Sequence, residues 1–256
     1  MAAIVIPARW GSRRFPGKPL AMIAGRTLIE RVLRVAGAVR NCARVLVATD
    51  DERIAAHVRA LGGEAAMTSP DHRNGAERVR EAAAVAGLDD DALVNLQGDA
   101  LLTPPWVIEA LIDELERGDA PIVTPAVRLE GAALAAFAAH KAQVPTSGTC
   151  VVFDRNRDAL YFSKAPIPFM RAPGAAHRHI GLYGFRREAL EAYCALAPTP
   201  LETAEGLEQL RALEHGMKIR VVVVDYRGRA HGSIDDPADV PVVEAIIARE
   251  GELAPD

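Results

Sequence analysis

The chain has 256 residues, half of them apolar, and 30 Lys and Arg against 34 Asp and Glu for a formal net charge of −4. This supports one sizeable core, or one core with a subdomain, and with no long basic run it speaks against a nucleic-acid partner. No apolar run approaches the roughly 18 residues of a membrane span, "MAAIVIPARW" is too short for a signal-peptide core, and the scattered Cys42, Cys150 and Cys194 fit buried thiols in a reducing, cytoplasmic compartment.

Short β-branched runs alternate with helical patterns over the first 125 residues. "AIVIPA", "RVLVATD" (44–50) and "ALVNLQGD" (92–99) read as buried strands. Between them "RTLIERVLRVAGAV" (26–39), "DERIAAHVRALGG" (51–63) and "AERVREAAAVAG" (76–87) repeat apolar residues at helical spacing, with Gly63 and Gly87 placed as helix-ending glycines. "WVIEALIDELERG" (106–118) and "PIVTPAV" (121–127) continue the alternation. Strands that are apolar throughout predict an α/β fold, a mostly parallel sheet with helices on both faces.

The second half is looser. "LEGAALAAFAAHKAQVPTSG" reads as a helix and loop, and "TCVVFD" (149–154) and "HIGLYGFR" (179–186) as strands flanking the proline-rich "SKAPIPFMRAPGAAH". A helical pair, "RREALEAYCAL" and "GLEQLRALEHG", precedes the strand "IRVVVVDY" (219–226), and "DPADVPVVEAIIARE" closes the chain as a helix. The expectation is one domain over 1–256, with 149–186 forming a dimerisation or lid subdomain.

The loop "PARWGSRRFPGKPL" puts Arg9, Arg13, Arg14 and Lys18 among Gly11 and Gly17 at the carboxyl end of the first strand. Parallel α/β sheets bind ligands at such ends, and guanidinium and ammonium groups neutralise phosphates. A solvated basic loop is the alternative on composition alone. The spacing is not that of a Walker A motif, and Pro19 stands where a magnesium-binding Ser or Thr would be, which disfavours a kinase; the absence of GxGxxG disfavours a dinucleotide dehydrogenase.

"IPARWGSRRFPGKPL" resembles the nucleotide-binding signature of the sugar-activating cytidylyltransferases, most specifically the CMP-Kdo synthetase (3-deoxy-manno-octulosonate cytidylyltransferase) family. "VATDDERI", "MTSPDHRNGAER", "VNLQGD", "ALYFSKAPIPF", "RHIGLYGFR", "LEQLRAL" and "IDDPADV" follow in the family's order and spacing, so the resemblance spans nearly the whole chain. It implies a nucleotide-diphosphosugar transferase fold of Rossmann-like type, usually a homodimer. The implied reaction is attack by the anomeric hydroxyl of Kdo or a related 2-keto-3-deoxy acid sugar on the α-phosphorus of CTP, releasing pyrophosphate. By the same resemblance Arg9, Arg14 and Lys18 would hold the triphosphate; Asn74, Gly75, Arg78 and Gln97 would lie around the nucleotide; and Lys164, His179, Tyr183, Glu208 and Gln209 would face the sugar. On periodicity alone "GLYGFR" is equally a core strand, "LEQLRALEHG" a solvent-facing helix, and His72 a loop histidine capping a turn.

Transfer at phosphorus leaves the protein mainly positioning and charge neutralisation. Magnesium takes hard oxygen ligands, with only one or two carboxylates beside phosphates and waters. Asp99 therefore needs one partner, and "GSIDDPADV" supplies it. Asp236 suits a helix N-cap, Pro237 a first helical position and Asp239 a first turn, which leaves Asp235, on residue pattern either a turn residue or a ligand, to match the family's second metal-binding aspartate. The chain departs from the family pattern at Ala100 and Leu101, where Gly-Asp-Glu-Pro is usual, at Asn74 and Ala76, where Ser-Gly-Thr-Glu-Arg is usual, and at Lys164, where Arg is usual. "QVPTSGTCVV" stands in the region of the family's Asn-Pro-Asn-x-Val-Lys. These departures make a different acceptor, another acid sugar or a phosphonate, or a catalytically impaired nucleotide-binding homologue, the alternatives to test.

Overall fold

Burial explains the central strand. In the computed structural model, which describes residues 2–12 and 14–254, Ala2–Ala8 (β1) is buried along nearly its whole length. Its side chains divide between two cores: Ala2, Ile4, Ile6 and Ala8 enter one, and Ala3 and Val5 the other. That two-residue alternation is what a strand covered on both faces requires. Arg13 lies outside the described residues.

A small hairpin, Met22–Ile23 (β2) with Arg26–Thr27 (β3), follows the first loop. Cys42–Thr49 (β4) and Ala92–Asn95 (β6) flank β1 in parallel, and Glu64–Met67 (β5) pairs in parallel with β4. The helices between them, Leu28–Gly37 (α1), Glu52–Ala60 (α2) and Gly75–Val85 (α3), each begin at a capping side chain. Thr27, Asp51 and Asn74 accept hydrogen bonds from the backbone N–H of Glu30, Arg53 and Glu77 respectively. Gly87 takes the left-handed turn after α3 as expected. After α2 that role falls to Gly62, at φ +79°, and not to Gly63, because the helix stops one residue earlier than its apolar pattern.

The rest of the chain completes a mixed sheet. Pro105–Arg117 (α4), Ile122–Leu129 (β7) and Gly131–Gln143 (α5) are followed by Thr149–Phe153 (β8) and Ala159–Ser163 (β9). Then come Ala176–His179 (β10), Tyr183–Arg186 (β11), Arg187–Ala195 (α6), Pro200–Glu205 (α7), Gln209–Glu214 (α8), Ile219–Val224 (β12) and Asp239–Glu250 (α9). The sheet runs β5-β4-β1-β6-β11-β7-β10-β8-β9, with β12 on the other edge of β7. Strands β1, β4, β5, β6, β7, β8 and β12 share one direction, and β9, β10 and β11 oppose it. Residues 149–186 thus add four strands to the common sheet, while 164–175 forms an exposed loop.

Two differences from the sequence reading shape the ligand-binding end. The run 179–186 is not one strand: Ile180–Leu182 interrupts it, so β10 and β11 both pair with β7 but out of step. On their other edge β11 meets β6, with Tyr183 opposite Asn95, and β10 meets β8, with His179 opposite Thr149. The end of β6 and the start of β8 therefore face each other across a gap beside Ile180–Leu182. The expected strand 92–99 likewise stops at Asn95, and Gln97–Ala100 closes a turn through the Ala100 N–H to the Gln97 carbonyl, at 3.0 Å.

Candidate active site

Three cavities lie along the carboxyl ends of the parallel strands and share lining residues. The first, about 610 Å³, is lined by Arg9, Gly11, Ser12, Arg14, Lys18, Gln97, Asp99 and Asp235 among others. The second, about 550 Å³, fills the gap between β6 and β8 and shares Gln97, Asp99 and Asp235 with the first. A smaller third, about 170 Å³, holds His72, Arg73, Asn74, Gly75 and Arg78, and shares Arg9 and Gln97 with the first. Gln97 lines all three.

The glycine-rich loop is held by its own backbone and by β4. The Trp10 carbonyl accepts from Ser12 N and Gly17 N, and Ser12 Oγ accepts from Phe15 N at 3.2 Å. Gly17 sits at φ +69°, where an added Cβ would come within 2.9 Å of the Trp10 ring, so only glycine fits. Trp10 N donates to Asp50 Oδ1 at 3.2 Å, and the Arg53 guanidinium lies 3.3 Å from the centre of the Trp10 ring. The loop then turns back through the single helical turn Lys18–Leu20. Lys18 Nζ is thereby brought to Asp99 Oδ2 at 2.6 Å and to the Ile234 carbonyl at 2.7 Å.

Asp99 reaches this point because Gly98 lies against β1: a Cβ there would stand 2.6 Å from the Pro7 carbonyl. Asp235 arrives from the other direction, and Arg14 Nη2 meets its Oδ1 at 2.8 Å. The local geometry differs from the expected cap. Helix α9 starts at Asp239, two residues beyond Pro237, and the Asp239 carboxylate accepts from the N–H groups of Asp235 and Asp236. Asp236 Oδ1 accepts from Ala238 N. The Asp235 side chain still takes no part in capping, as the sequence reading requires.

The two carboxylates line the same two cavities, a donor set of hard oxygens that suits magnesium. Among the described residues no group of three or more His, Cys, Asp or Glu could hold a metal. A cation here would draw its remaining ligands from phosphate and water.

At the third cavity the Asn74 side chain is used as the α3 cap, 3.0 Å from Glu77 N. Gly75 packs tightly against the side-chain amides of Asn95 and Gln97, which a Cβ would approach to 3.2 and 3.4 Å. Arg78 is buried and paired with Asp50 Oδ2 at 2.9 Å and Thr68 Oγ1 at 2.6 Å, so Asp50 joins the first loop to α3. His72 does not cap the turn before Gly75; its Nε2 bonds the Glu81 carboxylate on α3.

The second cavity gathers the five residues expected to face the sugar. His179 is buried, and burial pushes its imidazole down to about 3, helped by the charge of Lys164. Thr124 Oγ1 is 2.8 Å from His179 Nε2 and 2.8 Å from the Leu182 carbonyl. The hydroxyl has one proton to give the carbonyl, so neutral His179 donates from Nε2 and keeps Nδ1 as an acceptor. Tyr183 packs on it, with ring centres 5.6 Å apart. Burial pushes the Glu208 carboxyl up to about 7, and the buried Gln209 has no partner for Nε2. Lys164 Nζ donates to Thr149 Oγ1 at 3.2 Å, and burial lowers its pKa. Arg178, His231 and Ser233 also line this cavity and escaped the sequence reading. Arg178 stood at the edge of the quoted "RHIGLYGFR" block, the one signal that pointed to it.

Comparison with known proteins matches the geometry. Residues 3–219 fit the model of the family described as cytidylyltransferase. The 3-deoxy-manno-octulosonate cytidylyltransferase of Maricaulis maris is 56% identical over 97% of this chain and 98% of its own length. That of Chlamydia abortus is 43% identical over 94% of this chain and 91% of its own. A solved structure of CMP:2-keto-3-deoxy-manno-octonic acid synthetase complexed with CTP superposes with TM-score 0.86 at 38% identity, covering 97% of this chain and 99% of the other.

Proposed function

The chain belongs to the 3-deoxy-manno-octulosonate cytidylyltransferase (CMP-Kdo synthetase) family of the cytidylyltransferases, and we propose that it transfers CMP from CTP to the anomeric hydroxyl of Kdo with release of pyrophosphate. The observation that carries this reading is the row of three joined cavities, with the cationic loop in the middle and Asp99 and Asp235 at the junction with the sugar side. In the reaction the acceptor oxygen forms a bond to the α-phosphorus as the bond to pyrophosphate breaks. Arg9, Arg14 and Lys18 neutralise the triphosphate, and Asn74, Gly75, Arg78 and Gln97 enclose the nucleotide. Lys164, His179, Tyr183, Glu208 and Gln209 orient the sugar.

Magnesium is the fitting cofactor, held by Asp99 and Asp235; when bound it neutralises charge developing on the reacting phosphate. Lys18 and Arg14, which pair here with Asp99 and Asp235, would be free to face the phosphates once those two carboxylates held the ion. A cytoplasmic location is supported by the free thiols of Cys42, Cys150 and Cys194, and among the described residues no helix is long and apolar enough to cross a membrane. Homodimerisation through the 164–175 loop is supported by Phe169, 87% exposed. The product would feed lipopolysaccharide assembly.

Neither an unrelated acceptor nor an impaired homologue gains support, since the relatives named for the Kdo reaction match over nearly the full chain. The test is pyrophosphate release with Kdo and each of CTP, UTP, ATP and GTP. Release with CTP in large excess over the others is expected; equal rates with all four would overturn the cytidine assignment.

A further inference from the structure

Arg178 stands apart from the other sheltered arginines of this protein. Arg31 pairs with Glu252, Arg78 with Asp50, Arg211 with Glu202, and Arg220 with Asp158, Glu114 and Asp119. Arg186 gives its guanidinium to three backbone carbonyls. Arg178, half-buried on β10, has neither: among the described residues no carboxylate or carbonyl bonds it, and its buried Nε has no partner. A sheltered cation without an anion is costly. Its backbone is fixed between Val127 of β7 and Cys150 of β8, its guanidinium lies 5.8 Å from the centre of the Phe137 ring, and Gly148 stands beside Nε. His231, on the same cavity wall, has a buried Nδ1 that is also unpartnered.

The position of this residue selects its ligand. Arg178 lines the second cavity and not the first, where Arg9, Arg14 and Lys18 stand. An anion reaching it therefore belongs to the acceptor and not to the nucleotide. Lys164, the other cation of the second cavity, has carboxylates nearby: its Nζ bonds the Thr149 hydroxyl, its backbone N–H bonds the Glu205 carboxylate at 2.8 Å, and the charges of Asp235 and Glu205 act on it, though burial still lowers its pKa. An ammonium is also a point charge, whereas a guanidinium offers the planar fork that matches both oxygens of a carboxylate. Ala100 lines the same cavity, and with alanine where the family pattern has glutamate, that position offers no carboxylate to compete for the guanidinium.

We propose that Arg178, assisted by His231, is the residue that grips the carboxylate of the acid-sugar acceptor, so that it and not Lys164 sets the preference for an acid over a neutral sugar. The inference rests on the acceptor reading above. It is tested by comparing Kdo with its carboxamide at saturating CTP and magnesium, by pyrophosphate release. In Arg178→Met the KM for Kdo rises about 10- to 100-fold, the size of a lost charge-assisted pair, and the acid-over-amide preference in kcat/KM falls by the same factor. The KM for CTP stays within about threefold. Arg178→Lys, which keeps the charge and loses the fork, recovers part of the affinity, and Lys164→Met keeps the preference. A preference unchanged in Arg178→Met, or lost in Lys164→Met instead, overturns the proposal. Should Arg178→Met fail to fold, Arg178→Lys decides alone, since an unaltered KM for Kdo in that variant is equally contrary. No turnover of Kdo by the unmodified protein would sink the acceptor reading itself; turnover with an indifferent Arg178 sinks only this inference.

Discussion

The pair Asp99 and Asp235 is the residue-scale centre of the account. Each carboxylate is held by a cation of the first loop, Lys18 and Arg14 respectively, and each lines both large cavities. Asp99→Asn and Asp235→Asn should each lower kcat by at least about 10³-fold, because a magnesium ion placed by two carboxylates loses half its protein ligands; activity within tenfold of normal in either variant, measured at saturating magnesium, would refute the assignment. Glu208 gives a test that needs no substrate. Burial raises its carboxyl from 4.5 to about 7, so the folded state keeps the proton while the unfolded chain loses it. Below about pH 4.5 both states are protonated and nothing is lost; stability falls as pH rises from there to about 7, and the full cost, on the order of a few kcal/mol, persists above. Glu208→Gln should therefore raise Tm at pH 8 and leave it nearly unchanged at pH 4.5, a comparison for scanning calorimetry. His179 carries the opposite sign. Its depressed pKa means that stability present above about 6.5 is lost as pH falls toward about 3.

Among the elements, two turns decide where the chemistry-bearing side chains stand. Gly98 allows the 97–100 turn to lie on the Pro7 carbonyl, which would be 2.6 Å from an added Cβ. Gly98→Ala should shift Gln97 and Asp99 together and cost about 10²-fold in kcat, since small misplacements are expensive in positioned reactions; wild-type kinetics in a folded variant would show that the close approach is not needed. The longer elements were legible in the sequence because their periodicity reflects burial: β1, β4, α1, α3 and α4 lie where apolar spacing puts them, to within a residue or two. The misses have physical causes. β5 is Glu-Ala-Ala-Met, with no β-branched residue, and forms because β4 offers it an edge. Between His179 and Arg186 the run carries no charged residue and no proline, so nothing in its pattern marks the break at Ile180–Leu182, which tertiary pairing with β6 and β8 imposes. The start of α9 moved because Asp239, and not Asp236, gathers the free N–H groups ahead of the helix.

At the scale of the whole molecule, the site is assembled from residues more than 220 positions apart, Arg14 and Asp235 being separated by 221. The first loop, the β6 turn and the segment before α9 carried recognisable motifs, so their meeting was foreseeable. Arg178 and His231 were not, because a buried polar atom without a partner declares itself only once its surroundings are known. The row of cavities also predicts linkage: CTP with magnesium should raise Tm in proportion to the logarithm of nucleotide concentration, while Kdo alone should do so less, as the first cavity holds most of the fixed cations. Equal stabilisation by Kdo alone would place the stronger site on the sugar side. The most direct test of the central claim is to identify the products of CTP, Kdo and magnesium by phosphorus NMR. One phosphodiester, CMP joined to the anomeric oxygen of Kdo, and an equal amount of pyrophosphate are expected. Unchanged CTP, or CMP and pyrophosphate with no sugar phosphodiester, would contradict it.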